Sequence, residues 1–173
     1  MNIEERAAQA AAWKATGQCN CAQAVLKAFE DKLPVDADTL MKLGAGYAAG
    51  MGCMESTCGA LIGAVMVAGI VTDGKGTPRI SKELLQNFQE KCGATICKDL
   101  KGIETGAPLC PCPECDRNAV LALCAAFTSR ICSRKTASTL IPLSSRRRKI
   151  CSSSTGRPLR KIPRMSPMSC SHG

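Results

Sequence analysis

Apolar residues in the first 128 positions recur at three- and four-residue spacings, the mark of one-sided helices, with no alternating run long enough for a strand. Ile3, Ala7, Ala10 and Ala11 share a face of a helix over residues 2–16, stopped by Gly17. Asn20, a favoured N-cap residue, opens a second helix with Cys21, Ala24, Val25 and Ala28 on one stripe, closed by Pro34. Asp36 caps a third, striped by Leu40, Leu43, Tyr47 and Met51. Ser56 and Thr57 are capping residues ahead of a fourth helix running from Cys58 to about Val71. Residues 72–78 read as a loop. Ser81 then caps a fifth helix with Leu84, Leu85, Phe88 and Cys92 inward, ended by Gly93. A short turn at 97–100 and a Gly/Pro-rich loop over 102–113 precede a last helix from near Pro113, which carries Val120, Leu123, Cys124 and Phe127 inward. These elements predict an all-α fold, a small bundle of five to six helices.

The fourth helix has an unusual stripe: Gly59, Ala60, Gly63, Ala64 and Ala68. A glycine inside a helix costs about 1 kcal/mol against alanine. Two of them predict a second helix packed very close to that strip. Gly44, Gly46, Gly50 and Gly52 also read as close-packing glycines. A phosphate-binding loop needs a preceding strand and a following Lys-Ser/Thr, and both are missing.

Composition fits small-residue packing. The 173 residues include 23 alanines and 15 glycines but only five aromatics, Trp13, Phe29, Tyr47, Phe88 and Phe127. His172 is the only histidine, which excludes Ser-His-Asp or Cys-His catalysis and histidine-ligated metal in the body. Charge divides the chain. Residues 1–128 hold 12 basic and 14 acidic side chains, net −2, whereas residues 129–173 hold 11 basic and no acidic ones, net +11. The domain boundary is therefore placed at 128, with a basic Ser/Arg/Pro-rich tail after it. The tail's 11 serines and its Arg146-Arg147-Arg148-Lys149 run predict disorder, the alternative being an out-of-frame ending. It has no aromatic for base stacking, so nucleic-acid binding is not expected.

The longest apolar run, Cys58 to Val71, is 14 residues, short of the roughly 20 a membrane span requires. The acidic start Met1-Asn2-Ile3-Glu4-Glu5-Arg6 has no apolar core of a secretory leader, so a reducing, cytoplasmic setting is expected. There, abundant cysteine serves metal ligation or redox chemistry more than structural disulfides.

Ten of the 13 cysteines lie in the body, at 19, 21, 53, 58, 92, 97, 110, 112, 115 and 124. Cys21, Cys58 and Cys112 fall at predicted helix starts. Free N–H groups and the positive dipole end there stabilise a thiolate, the form that ligates metal and attacks disulfides. Cys112-Pro-Glu-Cys115 is a C-x-x-C pair compatible with thiol exchange, zinc or iron–sulfur ligation. Cys92 and Cys124 read as small apolar core residues. Glu55 reads as a solvated loop charge.

Gly17-Gln-Cys-Asn-Cys21, Gly44-Ala-Gly46, Gly50-Met-Gly52, Cys58-Gly-Ala-Leu-Ile-Gly63, Cys97 and Cys112 together resemble the C_GCAxxG_C_C family, small redox-active proteins named for four spaced cysteines. The resemblance spans about residues 3–127. It carries Cys21, Cys58, Cys97 and Cys112 over as the four family positions. Cys112 is chosen because Ala119 then falls at the family's place in the last helix. Cys19, Cys53, Cys110 and Cys115 are further candidate ligands. The resemblance implies one redox centre, with an iron–sulfur cluster as the expected cofactor and a separate redox protein as electron partner. Metal-free dithiol chemistry and structural zinc are the alternatives.

Overall fold

A computed structural model describes residues 1–127, which belong to one compact unit; the expectations for residues 129–173 lie outside the described residues. Seven α-helices and two 3₁₀ turns follow one another: α1 Ile3–Ala15, α2 Cys21–Ala28, α3 Ala37–Gly44, α4 Gly59–Val71, α5 Thr77–Cys92, α6 Cys97–Lys101 and α7 Cys112–Ala126, with the turns at Glu30–Lys32 and Ala45–Tyr47. Among the described residues there is no strand, only an isolated antiparallel bridge between Thr57 and Ile96. None of the helices is long and apolar enough to cross a membrane. The all-α bundle is therefore as expected, the short turn at 97–100 being α6.

Helix starts are set by side-chain caps. Asn2 and Asn20 each form a capping box, with Glu5 and Gln23 respectively, which satisfies free amides at both ends of the box. Asp36 accepts from the Thr39 amide. The α2 box also terminates α3: Asn20 Nδ2 donates to the Gly44 and Ala45 carbonyls, each at 3.1 Å, and Gln23 Nε2 donates to Met41 at 2.9 Å. The start of α2, where Cys21 sits, is thereby fixed against α3.

Several boundaries differ from expectation, each for a local reason. Helix α2 ends at Ala28, well before Pro34, because the buried Arg6 guanidinium takes the Ala28 carbonyl and pairs with Asp31. Helix α3 ends at Gly44, so the stripe does not extend to Met51: Leu43 and Met51 are 51% and 58% exposed. The chain then turns through Ala49, Gly50, Met51, Gly52 and Met54, all with positive φ. Ser56 and Thr57 do not cap α4; Cys58 itself is the N-cap residue, and Thr57 is occupied by the bridge to Ile96. Helix α5 begins at Thr77 rather than Ser81. Gly76, at φ 71°, turns the chain, Pro78 suits the first helical turn, and Thr72 and Thr77 hydroxyls meet at 2.7 Å. Leu85 faces solvent, while Leu84, Phe88 and Cys92 are buried as expected.

The core is assembled from Ala7 and Ala10 of α1, Val25 and Leu26 of α2, Ala60, Ala64 and Val67 of α4, Leu84 and Phe88 of α5, and Ala119, Val120 and Leu123 of α7, with Phe29 beside them. Cys124 is buried in this cluster, as read from its helical face. Helix α7 is central, packing on α1, α2, α4 and α5, and α2 packs on α4. The small stripe of α4 does what its sequence requires. A Cβ on Gly63 would stand 2.7 Å from the Ala22 carbonyl oxygen, and one on Gly59 would collide with the Tyr47 carbonyl and reach 3.2 Å from Cys21 Cβ. Gly44 is likewise tight, against Gln23 and Leu26. A Cβ on Gly46 or Gly52 would meet nothing within 4 Å, so close packing does not explain them.

Candidate functional site

Three of the four cysteines that the resemblance carries over lie at the starts of longer helices, where the hydrophobic pattern places them. Cys21 is the first residue of α2, Cys112 the first of α7, and Cys58 the N-cap of α4. Cys97 opens the short α6. Two devices draw the segments together. Gly59 allows the start of α4 to meet the start of α2 at Cys21. The Thr57–Ile96 bridge holds Cys58 near Cys97: Cys58 N–H donates to Thr95 O at 2.8 Å, and Cys97 N–H to Ser56 O at 3.0 Å. Gly50 is needed there too, because a Cβ on it would stand 2.7 Å from Cys97 Cβ.

The thiols form a hydrogen-bonded group with a defined polarity. Cys21 donates to Cys112. This holds the Cys21 thiol above its ordinary range, helped by burial, and lowers Cys112 to about 6, helped by the Lys101 and Lys14 charges. Cys115, held up by its contacts with Cys58 and Cys92 and by burial, is the proton-holding partner of both. Cys58 is lowered by Cys115 first, and also by the Ala60 and Leu61 backbone amides at the start of α4. Cys97 is pushed up by burial and feels the charge of both Cys58 and Cys112.

The remaining candidates divide. Cys19 is buried just before α2, its thiol raised by burial, with Asp116 adding to the shift. Cys53 is exposed and donates to the Gly50 carbonyl at 3.5 Å. Cys110 and Cys115, together with Cys92, place three sulfurs within 4.8 Å of one another, all buried, a group able to hold a metal ion. Among the described residues no other set of three such ligands is so tight. Cys92 is thus both a core residue, as its helical face indicates, and a member of a sulfur triad, which its spacing in the sequence does not reveal. Asn118 Nδ2 donates to Cys92 Sγ at 3.4 Å. Glu55 is a solvated loop charge, paired with Lys98 at 3.0 Å.

Asp116 is the residue the sequence reading passed over. It is 0% exposed, and both carboxylate oxygens are buried with no hydrogen-bond partner. Burial pushes its carboxyl well above the usual range, and the Cys58 and Cys112 thiolates add to the shift. The signal was available: Asp116 stands four residues after Cys112 and four before Val120, on the buried stripe of α7. Buried polar groups are almost always satisfied. A carboxyl left without a donor beside several thiols fits a pocket that takes up a cationic centre or keeps a proton. The surrounding donor set is all sulfur, which suits iron–sulfur and zinc ions.

The family model described as "Putative redox-active protein (C_GCAxxG_C_C)" matches residues 19–140, so α1 precedes the matched span. No curated protein and no solved structure matches the chain.

Proposed function

The chain belongs to the C_GCAxxG_C_C family, and from that premise we propose that it is an electron-transfer module in which Cys21, Cys58, Cys97 and Cys112 hold an iron–sulfur cluster. The observation that carries this reading is the meeting of Cys21 and Cys112 at two helix starts, with Cys58 brought to them across Gly59. Cys97 comes with Cys58 through the bridge.

When bound, such a cluster supplies one-electron chemistry. The protein's own contribution is fourfold. The starts of α4 and α7 carry the quartet's two lowered thiols, Cys58 and Cys112. Amides of Ala60 and Leu61 turn toward the Cys58 sulfur. Buried Cys21, Cys58 and Cys97 keep water away. Asp116 keeps a proton when no cationic centre is beside it. The partner is another redox protein that exchanges electrons at this end of the bundle, in the reducing cytoplasm. Anaerobic purification tests the reading. A brown protein absorbing at roughly 320–450 nm, bleached by dithionite, supports it, and a colourless one rejects it.

A second reading is favoured by the same Cys21–Cys112 contact. The lowered Cys112 thiolate attacks a disulfide of a partner protein, and Cys21 resolves the mixed disulfide. The two thiols become one disulfide, the partner's disulfide becomes two thiols, and both protons and electrons pass to it. Counting free thiols before and after mild oxidation decides this: a loss of two in the wild type and none in Cys112→Ser supports it, and an unchanged wild-type count rejects it.

A further inference from the structure

The tight sulfur triad lies outside the family quartet. Cys92 ends α5, Cys110 lies in the loop before α7, and Cys115 is in the first turn of α7. We propose that Cys92, Cys110 and Cys115 form a second, separate site that binds one thiophilic divalent cation of the zinc class.

Geometry favours a single ion. Zinc–sulfur bonds of about 2.3 Å set tetrahedral sulfurs about 3.8 Å apart. The three sulfurs already lie within 4.8 Å of one another, so a small contraction completes the site. All three are buried. Asn118 donates to Cys92 Sγ at 3.4 Å and lies 3.9 Å from Cys110 Sγ, the type of amide–sulfur contact that supports metal-bound thiolates. Thiols used purely as packing have no need of an amide turned toward two of them. A borderline-soft d¹⁰ ion is the chemical match for three thiolates, with the fourth position left to an exchangeable ligand.

Binding is not a redox step. One divalent cation displaces three thiol protons, giving a tris-thiolate complex of net charge −1 and three protons in solution. The consequence is mechanical. The ion staples the end of α5, at Cys92, to the loop and start of α7 that carry Cys110 and Cys115. The site does not depend on the iron–sulfur reading, since it shares no ligand with the quartet; Cys115 meets Cys58 beside it.

Cobalt(II) is the probe, added to the full chain after anaerobic removal of metals. The expected result is that the first equivalent gives sulfur-to-cobalt charge transfer with intense tetrahedral d–d bands, displaced by zinc. Cys110→Ser and Cys92→Ser should weaken that first equivalent at least tenfold, while Cys21→Ser and Cys97→Ser leave it within twofold. Bands that persist in Cys92→Ser and Cys110→Ser, or vanish equally in Cys21→Ser, overturn the proposal. X-ray absorption of the zinc-loaded wild type guards against misfolded variants: three sulfurs at about 2.3 Å support the site, and two or fewer overturn it. Iron and sulfide content reports the quartet independently, so the two readings fail separately.

Discussion

A Cβ added to Gly63 would stand 2.7 Å from the carbonyl oxygen of Ala22, so α4 and α2 approach as closely as backbones permit. Two residues N-terminal to that point on α2 lies Asn20, whose capping box fixes the start of Cys21's helix. One turn earlier on α4 lies Gly59, and beside it Cys58. The same close approach that closes the core therefore brings two thiols to one place.

Substituting that glycine measures the approach. Gly63→Ala gains at most about 1 kcal/mol of helix propensity and incurs about 1–3 kcal/mol of overpacking against backbone that cannot move aside. Urea unfolding should show a net loss of stability. Gly69→Ala is the matched control: its nearest neighbour is the Thr77 methyl at 4.0 Å, and the variant should be neutral or gain up to about 1 kcal/mol. Equal losses in both would contradict the close-contact account.

Cys112 should be the most readily alkylated thiol of the helix-start group in metal-free, reduced protein. It is only partly buried, and its thiolate is stabilised to about 6 by the Cys21 hydrogen bond. Its iodoacetamide rate should rise with pH through a midpoint near 6. In Cys21→Ala the donor is gone, the thiolate is less stable, and the midpoint should move up toward the ordinary thiol value, about 8.5. Peptide mapping by mass spectrometry reads both.

The pairing of Arg6 with Asp31 predicts an acid limb of stability. Arg6 is buried, and its hydrogen bond lowers the Asp31 carboxyl below its usual range. A carboxyl lowered in the folded state contributes stability at pH values above its unfolded value, near 3.9, and loses it as pH falls through the folded value. Asp31 is 52% exposed, so water screens the pair. The Asp31→Asn loss at pH 7 should be about 1–3 kcal/mol, toward the lower end, because Ala28 O still accepts from Arg6. Thermal melts should show that the variant lacks the wild-type fall below pH 4.

Asp116 acts with the opposite sign. Its carboxyl is raised in the folded state, so the stability it contributes is present below its unfolded value, near 3.9, and is lost as pH rises toward the folded value. Metal-free wild type should lose melting temperature from about pH 4 upward relative to Asp116→Asn. A parallel pH dependence of the two proteins would contradict a buried, unpartnered carboxyl.

Helix identity was legible because the cues are local. Asn20 and Asp36 cap where their chemistry dictates, Gly93 stops α5 with φ 86°, and the Gly59/Gly63 strip demands a close neighbour. The errors arose where partners distant in sequence decide. Arg6, 22 residues before Ala28, ends α2 early, and Ile96 diverts Thr57 from capping. The same holds for the site. Cysteines at helix starts were visible, but the triad of Cys92, Cys110 and Cys115 joins segments 18 residues apart and had no signature beyond the cysteines themselves. Asp116 was hidden by its type: an acidic residue in a helix ordinarily faces water.

Thiols gathered from separate helix starts to hold a cluster predict bound iron and sulfide, which iron and acid-labile sulfide analysis of the full chain, purified without oxygen, reads out. Wild type should contain both elements in near-equal amounts, and Cys21→Ser and Cys112→Ser should lose them while keeping helical circular dichroism. Iron-free wild-type protein, or variants that retain the wild-type iron and sulfide, would contradict it.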